Sequence, residues 1–261
     1  MAENSKIEWT DHTVNLWWGC AKVHTGCKNC YAEHLSDVRY QNNLWGEKGK
    51  RKRIKSAFKD LDKYQKKALK ANEKHKVFVG SMMDIFEDNK PLVNPEHTSW
   101  ADTETLRMDL FERIDENWYP NLIFLFLTKR PTNIVHMIPN DWINNTPKNV
   151  WFGTSVSNME TWKYAESLKL VSNTNLFLSI EPQVGLVTNV SLKGFQWIIQ
   201  GGESGSKKRP FDLEWAYRLK RMCERDNVPY FFKQIDKVQQ IPKDLMIREF
   251  PVFKKALAKN I

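Results

Sequence analysis

The sequence predicts an α/β domain built on parallel strands, and three observations carry that prediction. Six or seven short apolar runs alternate with stretches of helical period. The most hydrophobic of them, Asn121-Leu-Ile-Phe-Leu-Phe-Leu127, has no polar face, as a strand covered on both sides requires. Each run also gives way at once to polar or small residues: Ser81-Met-Met-Asp84, Thr128-Lys-Arg-Pro131, Thr154-Ser-Val-Ser157, Ser179-Ile-Glu-Pro182, Gly201-Gly-Glu-Ser-Gly205 and Lys233-Gln234. In parallel α/β folds the carboxyl ends of the strands carry the site, so these tips should converge on one pocket. The pattern alone leaves both a partial (β/α)6 barrel and a doubly wound sheet open, because strand order is not written in it.

Taken in order, residues Ile7 to Trp18 read as an entry strand feeding a cysteine-bearing loop. Tyr31 to Gln41 is a predicted helix, with Ala32, Leu35 and Val38 spaced for one face. A basic helical insert follows over 46–76, its helix starting after Lys55 on the apolar period of Ile54, Phe58, Leu61, Tyr64 and Leu69. Val77 to Gly80 is a short buried strand. Asn94-Pro95-Glu96 reads as a helix start with proline at the first helical position, leading into Thr98 to Glu116. Strands at Asn121–Leu127, Val150–Gly153, Leu176–Leu178, Phe195–Ile199 and Val228–Phe232 complete the set, with helices at Met159–Leu170 and Asp212–Arg225. No linker or internal repeat beyond this alternation divides the chain, so residues 1–261 read as one domain.

The chain has 261 residues and a net charge of +9. Between Gly46 and Lys76 lie 13 of the 40 Lys/Arg but only 4 of the 31 Asp/Glu, so the whole positive excess sits in the insert. Lys48-Gly-Lys-Arg-Lys-Arg53 is followed by Lys59, Lys63, Lys66, Lys67 and Lys70, which recur at three and four residues and share a helix face. Such a block is either a solvated surface or the footprint of an element that binds nucleic-acid phosphates. No apolar run is long enough to span a membrane, and Met1 to Lys6 lacks the apolar core of a signal peptide. Four cysteines in such a chain point to reduced thiols and a cytoplasmic setting.

Three of those cysteines, Cys20, Cys27 and Cys30, fall within one loop, separated by six residues and then by two. Thiolates suit soft metal centres, and three of them on an iron–sulfur cluster leave one iron free. Gly19 and Gly26 precede two of the cysteines, where a backbone wrapped closely round a metal has no room for Cβ. The same residues with His24 would make a closed Cys3His zinc site, structural and not catalytic.

Asn15, Gly19-Cys20, Gly26-Cys27 and Cys30-Tyr31-Ala32 together resemble the cluster loop of the radical S-adenosylmethionine (SAM) superfamily, especially its spore photoproduct lyase branch. They are most similar to a phage-encoded family carrying the same three-cysteine loop. The first gap is six residues here, where the superfamily usually has three. The resemblance implies a partial (β/α)6 barrel and a [4Fe-4S] cluster on Cys20, Cys27 and Cys30, with SAM on the open iron. It further implies an electron donor and reductive cleavage to a 5′-deoxyadenosyl radical that abstracts hydrogen from substrate. In the superfamily a Gly-Gly-Glu after the second strand contacts the SAM amino group; here that tip offers Ser81 and Asp84. Gly201-Gly202-Glu203 has those letters after the sixth strand, where the glycines allow either close approach to a nucleoside or a tight turn.

Lys129, Ser155 and Glu181, at consecutive tips, are candidates for the SAM carboxylate, ribose and methionyl groups or for substrate; ion pairing at the barrel mouth is the plainer role. Lys233 is similar. Tyr31 either packs over the cluster or donates hydrogen; packing in the core is the plainer role. Cys223, in a predicted helix, is either buried and structural or a remote hydrogen donor, as in spore photoproduct lyase. Two functions follow. One is a radical SAM enzyme acting on nucleic acid, in repair or base modification. The other is a non-enzymatic nucleic-acid-binding protein with a structural zinc or iron–sulfur site.

Overall fold

Seven parallel strands lie side by side in the order in which the chain makes them. The structure, a computed structural model, describes residues 2–93, 101–171 and 175–253. The parallel strands are β2 (His12–Val14), β5 (His75–Val79), β6 (Leu122–Thr128), β7 (Val150–Ser155), β8 (Leu176–Ile180), β9 (Trp197–Gly201) and β10 (Tyr230–Gln234). A short β1 (Ala2–Glu3) pairs antiparallel with β2 at one edge. At the other, Phe232 N–H donates to Ile247 O and Glu249 N–H to Tyr230 O, both at 3.0 Å, covering the free side of β10. A separate two-stranded ribbon joins β3 (Trp17–Trp18) to β4 (Lys52–Arg53).

Strand order never reverses. With right-handed crossovers, sequential parallel strands put every connection on one face, and the sheet curls into a half-barrel. A doubly wound sheet requires a reversal and is excluded. The helices are α1 (Tyr31–Glu33), α2 (Ala57–Ala71), α3 (Thr103–Asp115), α4 (Ile134–Met137), α5 (Asn140–Asn145), α6 (Trp162–Lys169) and α7 (Leu213–Asp226). Leu61, Leu110, Ala165 and Leu219 of α2, α3, α6 and α7 share a core with Val77, Phe124, Phe126, Phe152, Leu178 and Phe232 from one sheet face. The other face needs no helix: Phe78, Ile123, Leu125, Trp151, Phe177, Trp197, Ile199 and Phe231 pack on one another and on Trp9 inside the half-barrel. Gly153 makes this possible, because a Cβ there would lie 2.3 Å from the Phe177 ring.

Several expectations change on inspection. α2 is the crossover helix between β2 and β5, with Ala57, Leu61, Tyr64 and Ala68 buried, so this part of the predicted insert belongs to the β/α alternation itself. Leu69, placed on its apolar face, is 63% exposed, while Lys59, Lys63, Lys66, Lys67 and Lys70 are exposed as expected. The predicted helix Tyr31–Gln41 is one α turn running on as a π-helical segment, His34–Arg39, that buries Ala32 and Ser36 and leaves Val38 exposed. The proposed helix start at Asn94-Pro95-Glu96 lies outside the described residues, and α3 begins at Thr103 behind an Asp102–Thr105 capping box. The chain crosses from β8 to β9 without a helix. Among the described residues, no helix is long and apolar enough to cross a membrane.

Candidate functional site

The alternation that builds the aromatic floor also places the polar tips. Continuing inward from Leu125 gives Leu127 and Lys129; from Trp151, Gly153 and Ser155; from Phe177, Ser179 and Glu181; from Phe231, Lys233. Leu127, Lys129, Ser155, Ser179, Glu181 and Lys233 line a cavity of about 990 Å³, roofed by the cysteine loop. Of the residues singled out in the sequence, Cys20, Cys27, Cys30 and Tyr31 of the loop all reach it. So do Ser81, Asp84, Lys129, Ser155, Glu181, Gly202, Glu203 and Lys233 of the tips. Gly201 is not part of its lining. Cys223 is remote: it sits in α7, 2% exposed in the core between helices and sheet, where burial pushes its thiol up.

The cysteine loop is held from several sides. Asn15 Nδ2 donates to Ser81 Oγ at 2.8 Å and its Oδ1 accepts from Met82 N–H at 2.7 Å, tying the loop's start to the β5 tip. Gly19 has φ +117°, and a Cβ there would meet Arg51 Cδ at 2.6 Å and Leu44 O at 2.7 Å. Gly26 lies against β7's tip, where a Cβ would be 2.2 Å from Ser157 Oγ. The space that these glycines free is therefore filled by the protein itself. Arg51 is fully buried in a two-pronged pair with Glu87, both contacts 2.7 Å, and its remaining nitrogen binds Leu44 O at 2.9 Å and Gly49 O at 2.7 Å. Trp17 Nε1 donates to the same Glu87 carboxylate at 3.0 Å. On the far side, Glu203 accepts from Asn29 Nδ2 at 3.0 Å and from Arg209 at 2.6 Å, and Arg209 reaches Thr25 O at 3.1 Å. Burial raises the Glu203 carboxyl, but the bonds from Arg209 and Asn29 outweigh it and hold the group below its ordinary value.

Burial, with the Asp84 and Glu87 charges, pushes Cys20 up to about 12, and its Sγ–H donates to Ala21 O at 3.4 Å. Burial also raises Cys30. Among the described residues, no three His, Cys, Asp or Glu side chains are gathered in a coordinating set. His24 has its Nδ1 accepting from Gly26 N–H at 3.0 Å, which puts the ring's single proton on Nε2. That Nε2 is buried without a partner among the described residues, and burial with Lys129 and Arg130 lowers the imidazole to about 4.

The tips divide between structural and open roles. Asp84 spends both oxygens on the protein: Thr128 Oγ1 at 2.7 Å, Phe86 N–H and Lys129 N–H at 3.1 Å, and Arg130 at 3.1 Å. Arg130 also binds Ala21 O at 3.0 Å, so this pair ties two tips to the loop. Lys233 pairs with Glu181. Lys129 Nζ meets Ser155 Oγ at 3.3 Å, and Tyr31 donates its hydroxyl proton to Ser81 O at 2.8 Å. Gly202 makes a close turn, since a Cβ would fall 2.0 Å from Ile235 O. Sequence reasoning missed Arg51, Glu87, Asn29 and Arg209; only Asn15 carried a signal, as the asparagine of the loop motif.

No curated protein and no solved structure matches the chain. A family model described as a protein of unknown function, DUF5131, matches residues 4–251. The half-barrel with its cysteine-roofed cavity thus belongs to the DUF5131 family.

Proposed function

We propose that this chain is a radical SAM-type iron–sulfur enzyme acting on nucleic acid, in repair or base modification. One observation carries the reading: three cysteines from a single loop and the polar tips of a sequential parallel half-barrel line the same cavity. The donor set fits a [4Fe-4S] cluster in softness and number, with Cys20, Cys27 and Cys30 as its ligands. When bound, the cluster would supply the electron that cleaves SAM. The thiols must lose their protons for this, so loading releases protons and strengthens as pH rises. In the cavity, Lys129 with Ser155 and Lys233 with Glu181 offer a cation and a carboxylate for the methionyl and ribose ends of SAM or for substrate. Asp84 acts here as a positioning residue for Lys129 and Arg130.

The bond from Gly26 N–H to His24 Nδ1 favours three ligands over four, because a metal at Nε2 would displace the ring's only proton. The test is anaerobic reconstitution with iron and sulfide, metal analysis, and incubation with SAM and a reductant. Four irons per chain, 5′-deoxyadenosine as product, and loss of iron in Cys20→Ser, Cys27→Ser or Cys30→Ser but not Cys223→Ser support the reading. One tightly bound zinc that His24→Ala releases would replace it with the structural-zinc alternative.

A further inference from the structure

The rim beside the cysteine loop carries aromatic surface that the core does not use. Trp18 and Tyr40 lie nearly parallel, with ring centroids 6.2 Å apart and planes 29° from each other. Tyr40 is 54% exposed, Trp18 is half-buried, and the Arg39 guanidinium carbon lies 5.8 Å from the Tyr40 ring centroid. Trp18 stands opposite Lys52 in the β3–β4 ribbon, and Lys50 and Lys52 are exposed there. Lys52 Nζ has Asn42 Oδ1 at 3.4 Å, a contact that leaves its charge unneutralised. The pair stands next to the cavity: Trp18 is two residues before Cys20, Tyr40 N–H donates to Leu35 O at 3.2 Å, and Cys20, Leu35 and Trp45 line the cavity.

An exposed ring beside a half-buried one, with lysines on the same ribbon, suits one ligand chemistry. A base stacked on an aromatic ring is held by its π-face, while the adjoining phosphates need cations within a few ångströms. A duplex hides those faces, and an enzyme that reacts at a base must in any case take it out of the stack. We infer that Trp18 and Tyr40 are a stacking platform for the unpaired bases of a single-stranded nucleic acid, with Lys50 and Lys52 on its phosphates, leading the strand to the cavity. This rests on the nucleic-acid half of the function proposed above.

The test is fluorescence anisotropy on the full chain, without SAM or reductant, using labelled DNA and RNA oligonucleotides of about twelve nucleotides and the corresponding duplexes. Single strands should bind at least about tenfold tighter than duplexes at equal salt. Trp18→Ala and Tyr40→Ala should each weaken single-strand binding by about five- to a hundredfold with the salt slope unchanged, and Trp18→Phe should restore most of the loss. Lys50→Ala with Lys52→Ala should instead reduce the slope by about 1.4. Unchanged affinity in both alanine ring variants, with weaker binding in the double-lysine variant, would overturn the platform and leave a nucleic-acid substrate standing. Duplexes binding as tightly as single strands would also overturn it. Absence of binding to any oligonucleotide would remove both, whatever the SAM-cleavage assay returns.

Discussion

Arg51 sits among Lys50, Lys52 and Arg53, yet it is a core residue. Its guanidinium is fully buried on Glu87 and ties together the carbonyls of the segment that follows the cysteine loop. Burial pushes the Glu87 carboxyl up, with Arg51 opposing it, so removing the cation leaves a buried acid without its partner. Arg51→Ala should therefore cost about 3–5 kcal/mol in urea denaturation, whereas Lys50→Ala and Lys52→Ala should stay within about 0.5 kcal/mol. Equal small effects in all three would show that the pair contributes nothing. Glu203 makes a comparable prediction for the site. Glu203→Gln weakens the charge that holds Arg209 and Asn29, so Cys27 and Cys30 should alkylate faster with a maleimide while Cys223 keeps its wild-type rate. These roles were not legible in the sequence. Nothing local separates Arg51 from its basic neighbours, and the Asn29 that Glu203 holds comes from a loop 174 residues away. The three loop cysteines were legible because their spacing is contiguous in the sequence.

Elements were readable wherever burial follows a local period. Six of the seven parallel strands fall where short apolar runs stand, because strands covered on both faces leave no polar positions to blur the signal; β2, His-Thr-Val, lies within the longer entry strand expected over Ile7–Trp18. Helix α2 showed its apolar face through Leu61 and Tyr64, and its lysines faced outward as the spacing required. What failed were elements whose packing depends on distant partners. The helix after Cys30 buries the small polar Ser36 in place of Val38, since the chain must turn back where Asp37 accepts the Leu44 and Trp45 N–H groups at 3.0 and 2.8 Å. The short α4 and α5 carry too few apolar positions to show a period. The start of α3 is instead fixed by its cap. Asp102 Oδ1 accepts from Thr105 N–H at 2.9 Å, so Asp102→Ala should lower stability by about 1 kcal/mol, read from the thermal midpoint, and Asp102→Asn should recover most of it.

At the scale of the molecule, the end of the half-barrel opposite the site holds a buried histidine pair. His12 Nε2 and His75 Nδ1 are 3.0 Å apart, and the His12 ring stacks on Tyr64 at 4.0 Å. Burial, and then the nearby His75, lower His12 to about 4; Asp11, Glu3 and Lys67 are its other charged neighbours. The folded imidazole stays neutral down to that pH, while in the unfolded chain it takes up a proton near about 6.5. The unfolded state thus binds more protons between the two values, and stability falls as pH drops through this window, by at most about 1.4 kcal/mol per pH unit. Denaturant midpoints measured from neutral to acid pH should show a shallower fall in His12→Gln than in wild type; identical slopes would mean that His12 is neutral in neither state alone. The clamp on the cysteine loop has a consequence in time. Thr25 and Asn29 leave the ribosome 184 and 174 residues ahead of the arginine and glutamate that fasten them. At bacterial-type synthesis rates of about 5–20 residues per second, the loop waits roughly 10–35 seconds for its fastening. A nascent chain ending before β9 displays all three thiols without the Glu203–Arg209 side of the clamp, so that side of the loop is fastened only once the segment after β9 is made.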